Sequence, residues 1–167
     1  MRSTLAVSAL IALFASAATA EAKTYDVDDV LGDDIARVAP LTDVPIRLPA
    51  RISLGYDDAV FGDGGLERPD GYSFTLAAAP DCGNATACFL AQFSGQENGS
   101  FAFRRRVRLA RGIVGRYKPT TCGASCSPPM IEWKQRGRYY SLQAKVAGPE
   151  RRLMVRAANS AIRSTPR

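Results

Sequence analysis

Seven short segments of the chain have the alternating or compact apolar pattern of β-strands, and glycine, proline or polar residues separate them. The short turns between these segments favour an antiparallel sheet, because parallel strands need long crossover connections. Arg136, Gly137 and Arg138 separate the last two segments, which predicts a hairpin. The segments are 45–54, 72–77, 87–93, 102–109, 113–117, 131–135 and 139–146.

Helical periodicity flanks this series at both ends. Residues 28–38 place apolar side chains at near-helical spacing, with Asp28 or Asp29 near the start of the helix. Gly148 and Pro149 precede a second helix whose polar arc carries Arg152, Arg156, Asn159 and Arg163 and whose apolar arc is Leu153, Met154, Ala157, Ala158, Ala161 and Ile162. We therefore predict an α+β fold in which about five to seven antiparallel strands carry a short N-terminal helix and an amphipathic C-terminal helix packed on one face.

The first 20 residues have the three-part pattern of a secretory signal peptide. Arg2 supplies the basic start, an apolar run follows from Leu5 to Ala15, and Ala18-Thr19-Ala20 provides small residues for cleavage after Ala20 or Ala22. The apolar run is too short to span a bilayer. We predict a signal peptide over 1–20, one exported domain over 21–167, a periplasmic or secreted location, and no transmembrane segment in the mature chain.

An exported chain with four cysteines is expected to form two disulfides, for which three pairings exist. We favour the local pairs, Cys82 with Cys88 and Cys122 with Cys126, because each would pin a loop between strand-like runs. A redox pair usually has two intervening residues, whereas three separate Cys122 from Cys126. Zinc and copper remain as alternatives, although the spacing is unusual for either metal. No metal and no cofactor is assigned.

The chain contains no histidine, which excludes imidazole-activated nucleophiles and histidine-ligated zinc hydrolases. Carboxylate chemistry survives as an alternative, since the segment 57–70 contains Asp57, Asp58, Asp63, Glu67 and Asp70. Its spacing does not match a calcium-binding loop. We assign no catalytic residue and favour a non-catalytic protein, with a small exported carboxylate-based hydrolase as the alternative.

Charge is unevenly distributed along the chain. Residues 21–81 hold 13 acidic and 5 basic residues, a net charge of −8, whereas 82–167 hold 3 acidic and 16 basic residues, a net charge of +13. Strand alternation in 102–109 would put Arg104, Arg106 and Arg108 on one face and Phe103, Arg105, Val107 and Leu109 on the other.

Arginines at every second position of a strand repel one another unless an anion lies across them. The three candidate anion-binding residues are therefore Arg104, Arg106 and Arg108. Their partner could be the acidic N-terminal segment, an anionic lipid, an envelope polymer or another protein. Nucleic acid is not expected for an exported protein. The alternative is a solvated strand whose charges discourage edge pairing.

Two sets of segments in this chain resemble those of a family of small exported bacterial proteins of unknown function. The first is the run Trp133-x3-Gly137-x2-Tyr140-Ser-Leu142, followed by the C-terminal helix. The second comprises the segment Pro45-Ile-Arg-Leu48-Pro49 and the turn from Cys122 to Cys126 before the tryptophan. The resemblance implies the fold and the exported compartment, but it brings no activity and no site residue.

Overall fold

The computed structural model describes residues 22–67, 70–82 and 85–167. The predicted signal peptide at 1–20 therefore lies outside the described residues. The described residues form two α-helices, α1 (Val27–Val38) and α2 (Glu150–Arg163), and a short 3-10 helix follows α1 at Ala39–Leu41. The strands are β1 (Lys23–Asp26), β2 (Arg51–Leu54), β3 (Phe61–Glu67), β4 (Gly71–Ala77), β5 (Phe89–Gln96), β6 (Arg106–Arg108), β7 (Val114–Lys118), β8 (Thr121–Cys122), β9 (Cys126–Ser127), β10 (Met130–Gln135) and β11 (Arg138–Ala144).

Seven of these strands form one antiparallel sheet in the order β3-β4-β5-β11-β10-β7-β6. Strands β1 and β2 form a separate antiparallel pair, and β8 and β9 form a small hairpin. The predicted α+β class with an antiparallel sheet and a helix near each end is thus confirmed. In the large sheet β3 and β6 are the two edge strands, far apart from one another.

The hairpin of β10 and β11 forms where the sequence predicts it. Arg136 and Gly137 make the two-residue turn, with φ of 52° and 81°. Positive φ at both turn positions is the geometry that matches the twist of the flanking strands, and glycine adopts it without steric cost. Trp133 then lies opposite Tyr140, and their rings stack with centroids 5.5 Å apart.

The core lies between the two helices and one face of the sheet. From α1 it receives Leu31 and Ile35, and from α2 it receives Met154 and Ile162. The sheet contributes large buried side chains that recur at every second position, namely Tyr72, Phe74, Leu76, Phe93, Ile131, Trp133, Tyr140 and Leu142. The intervening positions on the other face are mostly polar, and two of them, Ser94 and Ser141, share a hydrogen bond of 2.8 Å between hydroxyls.

The segment 45–50 was predicted as part of a strand, and this is wrong. Only Arg51–Leu54 is a strand, although Ile46 and Leu48 are fully buried as the alternation indicates. The backbone N–H of Arg47 donates to the Tyr72 hydroxyl at 2.9 Å, and its buried guanidinium donates to the carbonyls of Ile162 and Ser164 at the end of α2. This segment therefore bonds to side chains and to a helix end in place of a neighbouring strand.

Two other strand predictions need correction. The strand predicted over 102–109 is shorter, because residues 102–105 and Leu109 are outside it and β6 is limited to Arg106–Arg108. The acidic, glycine-rich segment 57–70 was not among the predicted strands, yet its central part is the seven-residue edge strand β3. Strand β1 was not predicted.

All four cysteines are paired, and the pairs are the local ones favoured from the sequence: Cys82 with Cys88 and Cys122 with Cys126. The second disulfide links β8 to β9 across their hairpin. Short closed loops of this kind contribute roughly 2 kcal/mol each by restricting the unfolded chain. Disulfides are typical of proteins in an oxidising compartment. Among the helices that the structure describes, none is long and apolar enough to cross a membrane.

Candidate anion-binding groove

A groove of about 1190 Å³ lies between the sheet edge at β6 and the first half of α2. We call it the arginine groove. Its walls and floor are formed by Arg105, Arg106, Val107, Arg108, Val114, Tyr117, Pro119, Pro149, Glu150, Arg151, Arg152 and Val155. Five of these twelve residues are arginines, and most of the others are apolar, so the groove combines a strongly basic rim with an apolar floor.

Local structure explains how the edge strand reaches the helix. After β6 the chain reverses through Arg111 and Gly112, which have φ of 55° and 72°. The side chain of Asn159 on α2 accepts a hydrogen bond of 2.6 Å from the backbone N–H of Ala110 in this turn. The turn is therefore fastened to α2, and the strand beside it is held near the helix. Asn159, expected on the polar outer arc, in fact makes this internal contact.

Tyr117 forms part of the floor of the groove, and its side chain is buried. Burial raises the pKa of the Tyr117 hydroxyl, and the nearby Glu150 carboxylate adds to the increase. The phenol is therefore neutral at pH 7. The Arg105 guanidinium lies 5.7 Å from the centre of the Tyr117 ring, a cation-π distance.

Glu150 is the one acidic residue among the described residues that line the groove, and its carboxylate already accepts hydrogen bonds. It accepts hydrogen bonds from the hydroxyl and the backbone N–H of Thr120. The ion pairs among the described residues join Arg37 to Asp34, Arg138 to Glu97 and Arg167 to Asp28. None of these pairs includes an arginine of the groove, so the basic charge there is not neutralised by an ion pair with any described residue.

Of the three arginines predicted from the sequence, the structure brings two into the groove. Arg106 and Arg108 are exposed and line it, while Arg104 is exposed, precedes β6 and does not contribute to the lining. Alternation predicted Arg105 on the face opposite to these three arginines, and its guanidinium does lie over the Tyr117 ring. Arg105 is nevertheless exposed and also lines the groove.

The acidic N-terminal segment is not the partner of these arginines. Helix α1 packs against β3, at the opposite edge of the sheet from β6. Within the segment, Asp28 pairs with Arg167 and Asp34 pairs with Arg37. The candidate partners that remain are those outside the chain: an anionic lipid, an envelope polymer or another protein.

Arg151, Arg152 and Val155 were missed as groove residues. The sequence placed Arg152 on the polar arc of α2, which is correct because it is exposed. Two adjacent arginines in the first turn of a predicted helix could have indicated a binding site, because basic residues are unfavourable at a helix N-terminus. What the sequence could not provide was the proximity of that turn to β6.

The carboxylates of 57–70 are spread over three elements. Asp57 and Asp58 are exposed in the turn before β3, Asp63 and Glu67 lie within β3, and Asp70 is exposed just before β4. In the parts of the chain that the structure describes, no three His, Cys, Asp or Glu side chains come together as a group able to hold a metal ion.

A second cavity, of about 510 Å³, lies on the polar face of the sheet between the two disulfide-closed loops. Its lining includes Thr86 from the first loop, the Cys122 to Cys126 hairpin, and Gln92 and Gln143 from the sheet. The Gln143 amide donates to Ser127 and to the carbonyl of Pro128, which fastens the hairpin to β11. The disulfides thus hold surface loops in place beside the sheet.

Comparison of the chain with protein-family models, with curated proteins and with solved structures gives no match.

Proposed function

We propose that the protein is an exported, disulfide-stapled, non-catalytic envelope protein that binds an anionic partner in the arginine groove. The observation that carries this proposal is the groove itself, in which five arginines surround an apolar floor and the only carboxylate among the described lining residues is hydrogen-bonded to Thr120. A concave surface with this charge favours an anion over a neutral or basic ligand.

The chemistry of the rim supports carboxylate or phosphate groups as the recognised anion. Guanidinium groups present planar pairs of donors that match both anions, and they are charged at neutral pH. The apolar floor supports a partner with an apolar part beside its charges. An anionic lipid, an envelope polymer and an acidic polypeptide all carry such groups, whereas nucleic acid is not expected as the partner of an exported protein.

The proposed location is the periplasm or the extracellular space, after cleavage near Ala20. The signal-like pattern of 1–20 and the two disulfides support it. We also propose membership in the family of small exported bacterial proteins that the hairpin and the C-terminal helix resemble.

The test is a binding measurement with two matched double variants. Arg106→Gln with Arg108→Gln removes two charges from the groove, and Arg156→Gln with Arg163→Gln removes two exposed arginines from α2 outside the groove. The probes are vesicles of phosphatidylglycerol in phosphatidylcholine, polyphosphate and polyglutamate. We expect at least one probe to bind the wild type at low salt, and the groove variant to lose about tenfold in affinity while the control variant keeps wild-type affinity.

Salt dependence provides the second readout. Exposed charges are screened over about 10 Å at 0.1 M salt, so the wild-type affinity should fall with ionic strength and the groove variant should show a smaller slope. Arg104→Gln, tested alone, should have a weaker effect than Arg106→Gln because Arg104 is outside the groove. Equal loss in the groove and control variants, or no binding of any probe at low salt, contradicts the proposal.

A further inference from the structure

The edge of β6 leaves alternate backbone groups pointing away from the sheet. In its pairing with β7, Arg106 lies opposite Arg116, Val107 opposite Gly115 and Arg108 opposite Val114. The flanking hydrogen bonds run from Tyr117 N–H to the Arg105 carbonyl at 2.9 Å and from Leu109 N–H to the Ile113 carbonyl at 2.8 Å.

These bonds fix which residues face the partner strand. Hydrogen-bonded and non-hydrogen-bonded positions alternate along an antiparallel pair, so Arg105, Val107 and Leu109 direct their backbone groups toward β7. Arg106 and Arg108 therefore direct their N–H and C=O groups outward. Because β6 is the last strand of the sheet, no described strand occupies that side.

The outward edge is one wall of the arginine groove, and the first half of α2 is the other. Pro149 and Val155 supply apolar surface on the helix side, and Arg151 and Arg152 supply charge. A slot between an edge strand and a helix is the form in which extended peptides are bound by strand addition, with main-chain bonds for affinity and alternate side chains for specificity.

We propose that the arginine groove binds an extended acidic segment of a polypeptide, which adds to the sheet as a further strand beside β6. This inference rests on the proposed function and names the partner's class. The outward N–H and C=O groups of Arg106 and Arg108 pair with the segment's backbone, and the surrounding guanidinium groups pair with its carboxylates. Side chains alternate across a strand, so the recognised pattern has acidic residues at every second position and small apolar residues between them.

The peptide arm of the test uses an acetylated, amidated ten-residue peptide of alternating Glu and Val. Two control peptides carry N-methyl groups on all the Val amides or on all the Glu amides. Only one set of amides faces β6 in an added strand, so one methylated peptide should bind at least tenfold more weakly than the parent and the other should bind much as the parent does. Equal affinities of the two methylated peptides, whether high or low, overturn strand addition.

The protein arm compares Arg106→Pro with Arg106→Ala. Both variants lose the same guanidinium, but only proline also loses the outward N–H, and an edge strand tolerates proline at an outward position. Peptide affinity should be about tenfold lower for Arg106→Pro than for Arg106→Ala, as expected for one lost hydrogen bond. Equal peptide affinities of two folded variants overturn the inference, and the methylated peptides decide the question if the proline variant does not fold.

Phosphatidylglycerol vesicles and polyphosphate separate this inference from the function on which it rests. If these probes bind the groove and the Glu-Val peptide does not, the partner is an anionic lipid or polymer, so strand addition is overturned and anion binding stands. If the peptide, polyglutamate and both other probes fail to bind at low salt, the proposed function itself is overturned.

Discussion

At the scale of single residues, Glu132 links the middle of the sheet to the segment that leads into the groove. Its carboxylate is almost fully buried in β10. One oxygen accepts a hydrogen bond of 2.8 Å from the Tyr139 hydroxyl, and the other accepts one of 3.0 Å from the backbone N–H of Ala102. A buried carboxylate is costly unless both oxygens are bonded, so this pairing holds the chain before β6 in one position.

The same contact predicts a loss of stability in alkaline solution. Burial raises the pKa of Tyr139 above its ordinary value of 10.0, and the hydrogen bond to Glu132 and the charge of that carboxylate raise it further. Above pH 10 the unfolded chain releases the phenolic proton while the folded protein retains it. The stability from this residue is therefore complete below pH 10 and is lost as pH rises above that value, by at most about 1.4 kcal/mol per pH unit.

Chemical denaturation between pH 8 and pH 11 measures this effect. Tyr139→Phe lacks the titrating group, so its free energy of unfolding should fall less steeply above pH 10 than that of the wild type. Burial also raises the pKa values of Tyr72 and Tyr140, so a residual slope is expected in the variant. Identical slopes for wild type and variant would contradict the assignment.

At the scale of elements, the packing of α1 on β3 depends on glycine. A Cβ atom added to Gly62 would lie 2.6 Å from the carbonyl oxygen of Val30 and 2.6 Å from a methyl carbon of Leu31. A Cβ added to Gly64 would lie 2.1 Å from the Phe74 ring. These distances are all well below van der Waals contact, so Gly62 allows α1 to approach β3, and Gly64 allows the Phe74 ring of β4 to lie against the same strand.

Gly62→Ala is therefore expected to destabilise the protein by about 1 to 3 kcal/mol, the usual cost of overpacking. Gly65→Ala is the matched control on the same strand, because a Cβ there has nothing within 4 Å. The control should be neutral or slightly stabilising. Urea denaturation of the two variants tests the difference, and comparable losses in both would mean that α1 does not lie as close to β3 as described.

At the scale of the whole molecule, the C-terminal residue connects several distant parts of the chain. The backbone N–H of Arg167 donates to the Ile46 carbonyl at 3.2 Å, and its guanidinium contacts the Leu48 carbonyl at 3.3 Å and the Asp28 carboxylate at 2.8 Å. These bonds join the end of the chain to the buried segment after α1 and to the first turn of α1. The charged residues are also segregated, with acidic α1 near one sheet edge and the arginine groove at the other.

Deleting Arg167 should lower the free energy of unfolding by about 1 to 2 kcal/mol, because two hydrogen bonds to carbonyls and one ion pair are lost. Asp28→Asn removes only the ion pair, and since Asp28 is largely exposed this variant should lose less than 1 kcal/mol. Thermal and urea denaturation compare the two. An equal loss in Asp28→Asn and in the deletion would show that the carbonyl contacts contribute little.

The sequence alone determined the parts of the structure that depend on neighbouring residues. The hairpin at Arg136 and Gly137 and the apolar arc of α2 follow from turn geometry and helical period, which act over a few positions. The local disulfides were favoured among three pairings because each would pin a loop between neighbouring strand-like runs. The alternation of arginines on either side of Val107 follows from the strand period in the same way.

Only the tertiary structure decided the rest. Within β3, Gly62 lies against α1 and Gly64 lies against the Phe74 ring, and 45–50 is not a strand because Arg47 and the Tyr72 hydroxyl provide other hydrogen-bond partners. The groove itself joins 105–108 to 149–155, which lie far apart in the sequence. The physical reason is the same in each case: edge position, close approach and charge clustering depend on contacts between distant segments, and no local pattern records which segments will meet.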